Sequence, residues 1–211
     1  THDYMMVFTQ SGHCYWLKVH EIPQAARAAR GRPIVNCVAM KPEERLAALV
    51  PVREFSQDKS LFFATKNGVA KKTVLSEFGN PRSTGIRAIN IEDGDELIDV
   101  QVTDGSNDLV LATRHGMSIR FHEKDVRDMG RTATGVKGIE LDKKDFVIDM
   151  VVVRRKCTLL VVTEKGMGKR SELDEYRVQH RGGRGIITLK RAAKTGDIVA
   201  LKEVMPDDEL M

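Results

Sequence analysis

One short pattern recurs four times and limits what this chain can fold into. An apolar run ends in Thr-x-x-Gly at Thr9–Gly12, Thr65–Gly68, Thr113–Gly116 and Thr163–Gly166, with the threonines 56, 48 and 50 residues apart. A second glycine follows each first one, at Gly31, Gly85, Gly135 and Gly185, after 19, 17, 19 and 19 residues. A further apolar stretch closes every unit: LAALVPV from Leu46, ELIDVQV from Glu96, FVIDMVVV from Phe146 and DIVALKEV from Asp197. The approximate units are 1–57, 58–106, 107–156 and 157–211. A unit of this size cannot bury its apolar face alone, so neighbouring units must stack.

Each unit reads as four short strands. In the third, Asp108–Thr113 turns at Gly116 into Met117–Phe121, and Val136–Leu141 and Phe146–Val153 follow. Runs of this length bounded by Gly, Asp and Asn are strand signals. Lys66-Asn67-Gly68 suits a tight hairpin, because Asn and Gly tolerate positive φ. Glu92–Asp95 reads as a turn, since no calcium-loop spacing follows. Lys41–Leu49 has helical propensity, but its place in the repeat predicts a turn and a strand, and packing overrides propensity. A short helical turn is predicted within Ile22–Arg30. The fold class expected is all-β: one propeller-like domain spanning 1–211, with four-stranded blades. The array is expected to extend beyond these four units, with another first strand starting near Leu210.

The net charge of +4 hides a segregation. The windows 9–33, 65–87, 113–137 and 163–187, from each threonine to just past the second glycine, hold 21 Lys or Arg against 9 Asp or Glu. The remaining residues hold 13 basic and 21 acidic. The fourth position after the first glycine is Lys72, Arg120 and Arg170 in units two to four, and Trp16 in unit one, with Lys18 two residues on. The connections carry Arg27, Arg30 and Arg32; Arg82 and Arg87; Arg127, Arg131 and Lys137; Arg177, Arg181 and Arg184. Lys66, Arg114 and Lys165 sit in the hairpins, and Lys71 and Lys169 just after them. Units arranged around an axis would place equivalent residues at one height, forming a basic belt.

A belt of this kind suits a polyanion passing several units. Duplex DNA carries one charge per about 1.7 Å of axis. Bending it through about half a turn over about 40 base pairs costs on the order of 10 kcal/mol, while non-specific binding supplies roughly 5–8 kcal/mol. Several units together are therefore needed, and contacts to phosphates carry little sequence preference. The loop Gln179, His180, Arg181, Gly182, Gly183, Arg184, Gly185 adds backbone N–H groups that glycine leaves accessible to a phosphate, with forked arginine donors beside them. Alone, that loop would read as a solvated turn; inside a basic window it reads as a phosphate contact.

Chemistry is not expected of the chain itself. Nucleophile-elbow, zinc-protease, Walker and dinucleotide-binding motifs are absent. Cys14, Cys37 and Cys157 are odd in number and widely spaced, which argues for idle thiols rather than a disulfide framework or a metal site. The six histidines show no ligand spacing, and His122 and Glu123, adjacent on a strand, point to opposite faces. No apolar run approaches the roughly 18 residues of a membrane span, and no secretory leader opens the sequence.

Several ordered segments resemble a known family. T-H-D-Y at the start, K-V-H-E-I-P from Lys18, A-R-G-R-P-I-V-N from Ala29, L-F-F-A-T-K-N-G-V-A-K-K-T from Leu61, D-V-R-D-M-G-R-T-A-T-G-V-K-G-I from Asp125 and G-K-R-S-E-L-D-E-Y-R-V-Q-H-R-G-G-R-G from Gly168 are similar to C-terminal domains of DNA gyrase A, within the type IIA topoisomerases. The resemblance covers essentially the whole chain. It implies a six-bladed β-pinwheel with strand exchange, about four blades of it here. It implies too that the rim wraps duplex DNA so that the ATP-driven holoenzyme introduces negative supercoils. The rim residues carried over are Lys71, Lys72, Arg120, Lys169 and Arg170, with the connection arginines. The remainder of gyrase A, together with gyrase B in an A2B2 complex, are the implied partners. Catalysis, ATP and magnesium belong to those other regions, no cofactor is implied in this chain, and the location implied is the bacterial cytoplasm. The family's Gln-Arg-Arg-Gly-Gly-Arg/Lys-Gly box precedes the T-H-D-Y segment, outside this sequence. Gln179–Gly185 resembles it, with His180 in place of an arginine, and Trp16 replaces a usual basic residue. Two other readings stand beside this one: the corresponding domain of topoisomerase IV, and a propeller serving as a protein-interaction platform.

Overall fold

The computed structural model describes residues 3–209. They form β1 (Tyr4–Thr9), β2 (His13–Lys18), β3 (Leu46–Val52), β4 (Ser60–Thr65), β5 (Val69–Val74), β6 (Ile86–Arg87), β7 (Leu97–Thr103), β8 (Asp108–Thr113), β9 (Met117–His122), β10 (Val136–Lys137), β11 (Val147–Val153), β12 (Thr158–Thr163), β13 (Gly168–Glu172), β14 (Ile186–Ile187) and β15 (Ile198–Val204), with short 3-10 turns between some of them. Among the described residues no helix is long and apolar enough to cross a membrane. The strands make four antiparallel sheets in the orders β3-β1-β2-β6, β7-β4-β5-β10, β11-β8-β9-β14 and β15-β12-β13.

The sheets do not coincide with the sequence units. Each two-residue strand crosses back to the preceding blade: β6 pairs with β2, β10 with β5 and β14 with β9. The strand expected over Val136–Leu141 is therefore only Val136–Lys137, and the fourth sheet has three strands. The closing strands touch from blade to blade, β3 against β7, β7 against β11 and β11 against β15, which puts them on the inner side. The exchanged strands occupy the opposite, outer edge.

The repeated glycines are joints between blades. Gly12, Gly68 and Gly116 have positive φ, and their carbonyls accept the N–H groups of Ala88, Gly138 and Thr188 from the next unit at 2.8 Å in each case. A Cβ on Gly116 would collide with the Leu189 carbonyl oxygen, and one on Gly185 would collide with that of Ser118. The threonine shapes the hairpin: Thr9, Thr65 and Thr113 Oγ1 accept from the N–H four residues on, at 3.1–3.2 Å.

The core lies between sheets, so the middle blades are apolar on both faces. Phe63 faces Phe8 and Phe78 in the first interface, with ring centroids 5.7 and 6.3 Å away. Its neighbour Phe62 points the other way, toward Phe121 at 6.2 Å. In β8, Leu109 and Leu111 pack toward the second sheet, while Val110 and Ala112 pack toward the fourth. Full burial of side chains of this size stabilises by about 1.5–3 kcal/mol each.

Lys41–Leu49 follows the repeat, with a turn and then β3 from Leu46. The helical turn expected within Ile22–Arg30 is replaced by a 3-10 turn at Val19–Glu21 and a single bend closed by Ala29 N–H to the Ala26 carbonyl. Glu123 starts a 3-10 turn rather than extending a strand, is fully buried and accepts the Asn107 N–H. The further strand expected near Leu210 lies outside the described residues.

Candidate nucleic-acid interface

The basic residues separate into three structural groups. The first turns inward. Lys71 has no exposed surface; its Nζ donates to the Ala88 and Arg131 carbonyls at 2.6 Å each and lies 5.2 Å above the Phe63 ring. Burial, assisted by the Arg131 charge, pushes its pKa down to about 7. Lys72 is 8% exposed and reaches Asp128 Oδ1 at 3.5 Å. Arg120 donates to Asp108 through Nε and Nη2 at 2.9 and 2.7 Å, and its Nη1 donates to the Leu173 and Tyr176 carbonyls of the next unit.

These three contradict the expectation of a rim contact. The fourth position after the glycine is a clasp: its side chain reaches the following unit's connection, as Trp16 does when Nε1 donates to the Phe78 carbonyl at 3.1 Å. This accounts for a tryptophan where the other units have a cation, because each supplies an N–H to the neighbouring backbone or a charge to its Asp. Arg170, at the same position in unit four, is exposed, as is Lys169.

A second group, Lys66, Arg114 and Lys165, stands at the hairpin end of the blades rather than on the outer edge. Lys66 and Arg114 both lie 5.4 Å from the Phe146 ring. Lys66 pairs with Glu96 at 3.4 Å and Arg114 with Asp197 at 2.5 Å, while Lys165 donates to the Ala193 carbonyl.

The third group occupies the outer edge. Lys18, Arg27, Arg30, Arg32, Arg82, Arg87, Arg127, Lys137, Arg177 and Arg184 are exposed. They follow the second strands, on the connections that lead to or form the exchanged strands. Among the described residues, Arg27, Arg30, Arg32, Arg82, Arg87, Lys137, Lys169 and Arg170 have no acidic partner within ion-pair distance. Arg131 is half-buried, 4.0 Å from Glu77. In the glycine loop, Arg181 is turned inward, donating to the Asp125 and Lys137 carbonyls at 2.9 and 3.0 Å. Arg184 projects outward, 3.6 Å from Asp142, and His180 is almost wholly exposed, 3.5 Å from Asp125. Gly182 N–H donates to the Gly138 carbonyl and Glu140 N–H to that of Gly183, so Gln179 and Gly185 bound a loop docked on the preceding unit.

Sequence reasoning missed the acids that occupy the clasps. Asp108 lies across the hairpin, diagonal to Arg120 and two residues from its partner Val110, a relation that becomes visible once β8–β9 register is fixed. It also missed Glu44, which accepts from Tyr15 Oη at 2.7 Å, Ser11 Oγ at 3.0 Å and the Lys41 N–H at 3.0 Å. Burial and that carboxylate push the Tyr15 pKa up to about 12. Among the described residues no group of His, Cys, Asp and Glu could hold a metal.

Strand-exchanged, propeller-like blades with unpaired basic groups along the outer edge define an array built to present a cationic rim. The chain belongs to the DNA gyrase C-terminal domain, beta-propeller family, whose model matches residues 3–53, 59–104, 107–154 and 158–204. It is 49% identical over its whole length to the DNA gyrase A protein of Clostridium acetobutylicum and 44% to that of Salmonella typhimurium, spanning 25% and 24% of those proteins. The chain thus spans about a quarter of the length of these relatives. Its fold superposes on the C-terminal domain of DNA topoisomerase IV with a TM-score of 0.87, at 29% identity, covering 97% of this chain and 64% of that one. A DNA gyrase A C-terminal domain structure gives a TM-score of 0.85 at 23% identity, covering 99% and 68%, which supports the fold.

Proposed function

We propose that this chain is the DNA-wrapping domain of a bacterial DNA gyrase A protein. It bends duplex DNA around its outer edge so that the holoenzyme, using ATP, introduces negative supercoils. The observation that carries this reading is the set of unpaired arginines and lysines on the outer connections of successive blades: Arg27, Arg30 and Arg32, then Arg82 and Arg87, then Lys137. Their contacts are to phosphates, and their number offsets the bending energy one blade could not meet. In this reading the chain performs no bond chemistry and holds no cofactor. Cleavage, ATP and magnesium belong to the rest of gyrase A and to gyrase B, assembled as A2B2 in the cytoplasm. The 49% and 44% identity to gyrase A proteins over the whole chain favours gyrase.

The test is ligation of a nicked circular plasmid with increasing amounts of the full-length protein, followed by topoisomer analysis after protein removal. A positive linking-number shift that disappears when Arg82, Arg87 and Lys137 are replaced by Glu is expected. Retained binding without any shift would move the assignment to the topoisomerase IV type. Loss of neither binding nor shift in the Glu variant would remove the rim from the mechanism.

A further inference from the structure

The turn that enters each closing strand lies against the hairpin end of the blades, and its charge changes sign along the chain. Asp95 accepts the Asn67 N–H at 2.8 Å and Asp145 the His115 N–H at 2.9 Å, which fixes two of these turns on their hairpins. Residues 36–45 carry no net charge, 90–96 carry −4, 140–146 carry −1 and 190–197 carry +2. In the second unit the turn holds Glu92, Asp93, Asp95 and Glu96; in the fourth it holds Lys190, Arg191 and Lys194. The fourth turn also bridges two hairpins. Arg114 of unit three and Arg191 each reach the Asp197 carboxylate at 2.5 Å, while Lys165 of unit four donates to the Ala193 carbonyl. Asp197 is 4% exposed, so one buried negative charge is shared by two guanidinium groups. Lys190 and Lys194 are exposed and, among the described residues, have no acidic partner within ion-pair distance.

A charged turn standing alone is solvated and binds nothing. This one is held in place by its contacts, keeps a surplus of positive charge, and continues the rim. Arg184 projects from the outer edge, and β14 leads from it directly into the turn, where the Thr188 and Leu189 N–H groups donate to the Gly116 carbonyl of the unit-three hairpin. We propose that residues 190–197 form a second phosphate-binding site, off the rim, where the bound duplex passes from the outer edge of the blades onto their hairpin end. Lys190 and Lys194 meet the phosphates, and Arg114 and Arg191 keep the turn in place through Asp197. The acidic turn of the second unit repels a duplex from the same end, so the DNA path is inclined across the blades. An acidic polypeptide would meet the same charges, but the unbroken run of cations from the rim favours DNA. The proposal rests on the DNA-wrapping reading and adds where the duplex leaves the rim.

The experiment places a photoactivatable aryl azide on the full-length protein through Lys194→Cys, and through Asp93→Cys in the acidic turn, and irradiates each bound to duplex DNA. The unsubstituted protein, treated alike, gives the background from native cysteines. Crosslinking to DNA from position 194 is expected to exceed that from position 93 by at least about tenfold at 50 mM salt. A separate double variant, Lys190→Gln with Lys194→Gln, is expected to lower the slope of log affinity against log salt by about 1.8, one phosphate for each lysine. Its melting temperature should not move, because both lysines are exposed and unpaired. Crosslinking from 194 no greater than from 93, crosslinking from 194 to polypeptide in place of DNA, or an unchanged salt slope overturns the second site and leaves the wrapping reading intact. Failure of the native protein to retain any duplex overturns both.

Discussion

Lys71 shows how a single residue can carry the opposite of its expected meaning. A lysine in a basic window reads as a surface charge, yet this one is sealed between two blades and bonded to two carbonyls. Its folded pKa of about 7 lies below the ordinary lysine value, so the unfolded chain binds more protons between those two values. By linkage, stability rises with pH through that window. Lys71 destabilises the fold in full below pH 7, and its burden is relieved above. Denaturant unfolding is expected to show a gain of up to about 1.4 kcal/mol per pH unit from pH 7 to 9.5, absent in Lys71→Met. Tyr15, held protonated to about 12, acts in the opposite sense only above pH 10. The sequence could not reveal Lys71's burial, because nothing local distinguishes it from Lys169, the exposed residue at the same repeat position. What buries Lys71 is the connection of the following unit, whose Arg131 carbonyl accepts from it.

At the scale of elements, the glycines that punctuate the sequence mark contact between blades as much as turning. Both glycines of a unit were legible as signals, and so were the hairpins and the closing strands. The crossing of β6, β10 and β14 to the preceding blade followed only from the family resemblance, since a two-residue strand has no periodicity to read. The joints can be tested by position. Gly116→Ala places a methyl group against the Leu189 carbonyl, whereas Gly166, also at positive φ, has open space around it. Both substitutions carry backbone strain of about 1–2 kcal/mol, but only the first must also push neighbouring blades away from each other. Melting curves are expected to show Gly116→Ala losing at least about 2 kcal/mol more than Gly166→Ala. Equal losses would mean that the joint yields freely.

Across the whole molecule, charge on the rim and charge between the blades do different work, and substitution separates them. Arg120 is held by Asp108 and two carbonyls of the next unit, so Arg120→Met strands a half-buried carboxylate. It is expected to lower stability by about 3 kcal/mol. Arg87→Gln and Lys137→Gln remove exposed, unpaired groups, so melting should not move. Each should reduce the slope of log affinity against log salt by about 0.9 if it meets one phosphate. Titrations between about 50 and 200 mM salt, alongside thermal melts, distinguish the two classes; a melting loss in the rim variants would merge them. The charge segregation visible in the sequence was real, but it pooled clasps, hairpin-end pairs and rim groups, which only packing tells apart. Strand exchange has a further bearing on how such a chain is made. During synthesis from the N-terminus, β2 is complete at Lys18, but the strand that closes its sheet arrives with Ile86. The same debt passes from β5 to Val136 and from β9 to Ile186. Each nascent blade leaves the ribosome with an open edge that its successor covers, so assembly proceeds in one direction and a stalled ribosome displays an unpaired strand.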